Sequence, residues 1–118
     1  MRQEDKELLL KDLCARVPYG VKIQVPYEDG SGYFDETVWE VNNEGPFHVN
    51  GWGIEYEYVK PYLFPLSSIT KKTLEELSAY IDIKNAYVAV EFFNSHHIDY
   101  RGLIEKGLAV DATGLNIY

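Results

Sequence analysis

The sequence predicts an α+β domain: an N-terminal helix, a four-stranded antiparallel β-meander and C-terminal helices packed on the sheet. Three observations carry this. Helical spacing opens the chain, alternating and β-favouring runs punctuated by glycine and asparagine fill residues 21–59, and helical spacing returns after residue 70. Taken in order, Gln3 to Arg16 forms the first helix, with Leu10, Leu13, Cys14 and Val17 as its buried stripe. Glu4, Asp5 and Glu7 suit the positive end of its dipole, and Pro18-Tyr19-Gly20 stops it. Val21, Ile23 and Val25 alternate with Lys22 and Gln24, the period-2 pattern of a strand with one buried face. Pro26 to Gly32 is a turn.

A second strand spans Tyr33 to Val41 until Asn42-Asn43-Glu44-Gly45-Pro46 breaks it, and a short third covers Phe47 to Val49. Asn50-Gly51-Trp52-Gly53 is a tight-turn signal, because glycine and asparagine tolerate positive φ. The fourth strand, near residues 54–59, sets Ile54, Tyr56 and Tyr58 on one face and Glu55 and Glu57 on the other. Lys60 to Leu66 contains two prolines and cannot be a helix interior, so it is expected to form an apolar strap across the core.

Thr70 N-caps a second helix, Lys71 to Ile81, whose stripe is Leu74, Leu77 and Ile81. From Asn85 to Ser95, Tyr87, Val88 and Val90 favour a strand while Ala89, Phe92 and Phe93 fit one helical face; helix is the reading adopted. Asp99 caps a short helix, Tyr100 to Lys106, closed by a left-handed Gly107. The tail from Leu108 to Tyr118 carries no signal that assigns it.

The length of 118 residues suits one domain spanning 1–118, and 46% hydrophobic with 25% charged residues is a globular composition. The single cysteine, Cys14, makes no internal disulfide, and Met1 to Glu7 lack the basic-then-apolar pattern of a secretion signal. No eighteen apolar residues run together. A cytoplasmic setting without a membrane role is the expectation. Net charge is −8, yet no lysine or arginine lies between Lys22 and Lys60, an interval holding Glu28, Asp29, Asp35, Glu36, Glu40, Glu44, Glu55 and Glu57. Such a field repels phosphates, so direct nucleic-acid binding is not expected.

The segments LLLKDLCARVPYGVKI, KPYLFPLSSIT and DYRGLIEKGLA cover roughly a third of the chain. They resemble short proteins encoded by phages and mobile elements of gut bacteria, a group with no assigned activity. The resemblance implies a bacterial or phage cytosolic setting and transfers no residue role.

Little in the chain has the spacing of catalytic chemistry. His96-His97-Ile98-Asp99 is the one cluster able to exchange protons or bind metal near neutral pH, but adjacent histidines lack the i, i+4 geometry of a zinc helix. The plainer role is that His96 and His97 end a helix while Asp99 caps the next segment. Cys14 has no neighbour to activate it as a nucleophile and is expected to be buried. Ser67-Ser68 sits in no nucleophile elbow, and Gly30-Ser31-Gly32 lacks the lysine and spacing of a phosphate loop. No cofactor is indicated.

Aromatics supply the other signal. Tyr27, Tyr33, Phe34, Trp39, Phe47, Trp52, Tyr56 and Tyr58 share the base-free interval with the acids. A sheet covered on one side buries about half of such a set, since side chains alternate between faces. The first functional reading is therefore a non-enzymatic protein-binding or regulatory module of phage or mobile-element origin. Its acidic, aromatic sheet face, with Glu40, Trp52, Glu55 and Glu57 as contact residues, would engage a basic protein surface. The alternative is a small enzyme or ligand- or metal-binding protein centred on His96, His97 and Asp99.

Overall fold

A computed structural model of the chain describes residues 2–38, 40–41, 46–47, 59–68, 75 and 86–118. Helix α1, Gln3–Arg16, opens the chain and leads through a 3-10 turn, Val17–Tyr19, into strand β1, Lys22–Pro26. Strand β2, Tyr33–Thr37, returns antiparallel to β1, with Val25 opposite Phe34 and Pro26 opposite Tyr33. Two short strands follow, β3 (Glu40–Val41) and β4 (Pro46–Phe47), paired with each other in a separate two-stranded sheet. Strand β5, Lys60–Pro65, a 3-10 turn, Leu66–Ser68, helix α2, Ala86–Ser95, and strands β6, Ile98–Asp99, and β7, Val110–Asp111, follow among the described residues.

The main sheet has five strands in the order β2-β1-β5-β6, with β7 also on β5. It is mixed. β1 pairs antiparallel with β5, whereas β6 and β7 run parallel to it, and Phe64 N–H donates to His97 O (2.8 Å) as Ala112 N–H does to Leu63 O (2.8 Å). The expected four-stranded antiparallel meander is matched only in its first two strands, β1 and β2; the sheet is mixed, and its centre, β5, lies in the segment expected to be a strap. The prolines explain the change: they bias the residues before them toward extended geometry, which suits a strand as well as it excludes a helix. Pro61 and Pro65 sit near the two ends of β5, so Leu63 and Phe64 between them supply ladder groups.

Helix α1 packs its face onto this sheet. Leu9 and Leu13 join Val21, Ile23, Val25, Val38, Val59, Leu63, Leu103, Leu108 and Ala109 in one apolar core. The alternating burial of β1, with Ile23 and Val25 inward, follows the predicted pattern.

Three expectations need correction. The buried positions of α1 are Leu9, Asp12, Leu13 and Arg16, so its inner face lies ~100° around the helix from the predicted stripe, about one residue's rotation. Cys14 is exposed, and Leu10 and Val17 are only partly buried. A maleimide reagent is accordingly expected to label Cys14 fully in the native protein; slow labelling relieved by urea would place that thiol inside. Tyr100 to Lys106 is a run of turns instead of a helix, because Gly102 adopts a left-handed φ of 75° inside it. Gly107, at φ 74°, ends the run as expected. Helix α2 agrees with the predicted Asn85 to Ser95, whereas the fourth strand near 54–59 and the helix Lys71 to Ile81 fall almost wholly outside the described residues.

Candidate functional site

Two places concentrate polar chemistry. The first is a buried cluster where α1 meets the C-terminal end of α2. Asp12 and Arg16 occur i, i+4 on α1, and both side chains are fully buried. Arg16 Nε and Nη2 donate to the two carboxylate oxygens of Asp12 at 2.9 and 3.1 Å, a fork that only a planar guanidinium offers. The same Nη2 donates to Ile98 O (2.6 Å), and Nη1 donates to Phe93 O (3.3 Å) in the last turn of α2. Positive charge at a helix C-terminus is favourable, and the two carbonyls supply further acceptors for the buried guanidinium donors.

Arg101 Nε stands 3.3 Å from Asp12 Oδ1, near enough to pair in charge but without the alignment of a hydrogen bond. Its Nη2 donates to Tyr100 Oη at 2.8 Å. The guanidinium carbons of Arg101 and Arg16 lie 4.8 and 5.4 Å from the centre of the Tyr100 ring, whose other neighbour is Phe93 at 5.6 Å. Asp99, also buried, accepts the N–H groups of Leu103 and Ile104, each at 2.9 Å. That is the capping role the sequence predicted, applied to a turn.

The histidine pair divides. His96 is exposed, with Nδ1 3.0 Å from Phe92 O and its ring stacked on Phe92 at 4.2 Å, so it complements the end of α2. His97 adopts φ 56°, uncommon for a residue with a Cβ, and this turns its ring the other way. It is 6% exposed and stacks on Tyr118 at 3.8 Å and 12°. Burial, and then the nearby charges of Arg16 and His96, push its pKa down to about 4. His97 Nδ1 and Asn94 Oδ1 are buried with no hydrogen-bond partner among the described residues. His96, His97 and Asp99 are therefore each committed to a different neighbour. No group of three His, Cys, Asp or Glu residues suited to a metal is present among the described residues. The cluster acts as an anchor between α1, α2 and β6. Sequence reasoning missed Asp12 and Arg16, although Leu9, Asp12, Leu13 and Arg16 fall at i, i+3, i+4 and i+7, the spacing of one helix face.

The second place is the β1–β2 hairpin. Tyr27 N–H donates to Gly32 O (2.9 Å) and Gly30 N–H to Tyr27 O (3.1 Å), closing a tight loop. Tyr27 rests against Phe34 with ring centres 5.1 Å apart yet stays 48% exposed, and Tyr33 is 62% exposed. Glu28, Asp29 and Asp35 are exposed beside them. The Ser31 hydroxyl and N–H on its carboxylate hold Asp29 below the usual carboxylate range. Of the contact residues expected from the sequence, Glu40 lies in β3 opposite Phe47. Its side chain, together with Trp52, Glu55 and Glu57, lies outside the described residues. Among the described residues no helix is long and apolar enough to cross a membrane. Comparison of the chain with family models, curated proteins and solved structures finds no match.

Proposed function

We propose that the chain is a non-enzymatic protein-binding or regulatory module that engages a basic protein surface through an acidic, aromatic side of its sheet. The observation that supports this reading best is the hairpin, where Tyr27 and Tyr33 stand exposed among Glu28, Asp29 and Asp35. Exposed tyrosines provide contact area at low side-chain entropy, and the carboxylates steer and orient a cationic partner. Tyr27 is braced on Phe34 and the loop is closed by its own hydrogen bonds, so little ordering remains for binding to impose. The base-free interval extends this charge through Glu40, Trp52, Glu55 and Glu57, which belong to the same proposed surface. The resemblance to phage and mobile-element proteins adds a bacterial cytoplasmic setting to the proposal.

Reversing Glu55 and Glu57 to lysine, which takes the net charge from −8 to −4, is expected to weaken association with a basic partner at least tenfold. Reversal of Glu28 and Asp35, both exposed, in a second variant is expected to do the same while leaving the urea midpoint nearly unchanged. Calorimetry against a partner recovered from bacterial lysate, and against a polyarginine peptide, reads the effect at low and high salt. Equal affinity of both variants and the parent would remove this surface from any interface.

A further inference from the structure

The end of the β1–β5 ladder carries a second arrangement that binding through the hairpin does not use. Tyr118 bridges β1 and β5 there, beyond the Ile23–Pro61 pair. Its hydroxyl donates to Tyr62 O at 2.8 Å and accepts Lys22 N–H at 2.9 Å, while Lys22 Nζ donates to Ile117 O at 3.0 Å. The Tyr118 ring is stacked on His97 and lies 6.0 Å from Phe64. We propose that Ile117 and Tyr118 form a proton-operated latch on β1 and β5, with His97 as the group that takes up the proton and Tyr118 as the part released.

The geometry makes His97 the weak point of the latch. Its ring is buried, and Nδ1 has no hydrogen-bond partner among the described residues. A protonated imidazole needs an acceptor at both nitrogens, and a buried donor without one is unfavourable. The charged and titratable groups around it give the proton no compensating site. From α1, Arg16 opposes it, and the Asp12 carboxylate is already held by Arg16. On its own turn His96 opposes it as well. From the sheet, burial pushes the Tyr62 pKa up on β5, and Lys22 Nζ on β1 already donates to Ile117 O. Tyr118 itself remains a hydroxyl, since removal from water pushes its pKa up to about 12. A cation on Tyr118 gains some attraction from the ring face, but this is the smaller effect, because the net result of all surroundings is to lower the His97 pKa. The charged imidazole regains water by turning out from under Tyr118. Tyr118 as a whole is 42% exposed although its hydroxyl sits between two backbone groups, so it can leave without opening the core.

The test uses the intact protein in solution NMR from pH 7 to pH 3.5. The expected result is that the His97 imidazole titrates near pH 4, and that the ring-to-ring NOEs of His97 and Tyr118 disappear with the same midpoint. The Lys22 amide should shift away from its hydrogen-bonded position in step, while Val38 N–H, which donates to Val21 O, stays unchanged. In His97→Asn, which tolerates the positive φ, the Lys22 amide should lose this pH response. Persistent NOEs with His97 protonated would overturn the proposal. So would loss of Lys22 and Val38 signals together, or a His97 that stays neutral until the whole fold melts; these wild-type readings decide even if the variant does not fold.

Discussion

Replacing Asp12 by alanine is expected to destabilise the protein by about 3–5 kcal/mol, measured as a fall in the urea midpoint at constant slope. Among the described residues the substitution leaves Arg16 fully buried with no carboxylate on its guanidinium, retaining the carbonyls of Ile98 and Phe93 and the face of the Tyr100 ring. Arg101 loses its ionic partner too. Against a typical domain stability of about 5–15 kcal/mol, that loss is a large share. A double variant, Asp12→Leu with Arg16→Met, separates the charge effect from simple loss of packing. Two apolar residues of similar bulk remove the unpaired cation, so much of the stability should return. If Asp12→Ala loses under 1 kcal/mol, the two carbonyls suffice to hold the guanidinium and the carboxylate is dispensable.

Between pH 6.5 and pH 4 the wild-type protein is expected to lose about 3 kcal/mol of stability that a His97→Asn variant does not lose. Unfolded, the imidazole titrates near 6.5; folded, its pKa is pushed down to about 4 by burial, Arg16 and His96. The unfolded chain therefore binds this proton first. The contribution is fully present above pH 6.5 and disappears as the pH falls through the folded value. About 2.5 pH units at ~1.36 kcal/mol each sets the size. Carboxylates titrate in the same window, so the measured quantity is the difference between variant and wild type in urea midpoints at pH 7 and pH 4.5. Parallel pH profiles for the two proteins would show that His97 is solvated in the folded state.

The parts of the fold that were legible in sequence are those where one local pattern met no competitor. Ile23 and Val25 alternate against Lys22 and Gln24, and the strand forms where the alternation lies. Residues 85–95 carried two competing patterns, strand-favouring Val88 and Val90 against the helical face of Phe92 and Phe93, and α2 is helical. The inner face of α1 is not legible from apolar spacing alone, because two of its four buried positions, Asp12 and Arg16, carry charge and charged residues are seldom fully buried. Only tertiary partners, the carbonyls of Phe93 and Ile98 some eighty residues on, make that pair suitable for the interior. Strands β6 and β7 are two residues each and carry no period; β5 recruits them through ladder bonds that sequence spacing cannot foresee. The candidate site divides in the same way. The acidic and aromatic hairpin was visible in composition, whereas the pairing of His97 with Tyr118 depends on a positive φ that dipeptide chemistry does not announce.

The position of β5 also bears on the order of events during synthesis. The start of this strand, Lys60 and Pro61, is paired by β1, which emerges from the ribosome well before it. Its other ladder groups wait for residues 98–99 and 110–111, on the far side of α2. A nascent chain exposed only through residue 95 thus holds β1 and β2 as a hairpin and has the ladder groups of β5 at residues 62–65 unpaired. Closing long loops is slow, and an unpaired strand flank is the usual template for intermolecular pairing. The interval between the emergence of residue 65 and that of residue 111 is when this chain is most exposed to aggregation, and when chaperone binding would matter most to its yield.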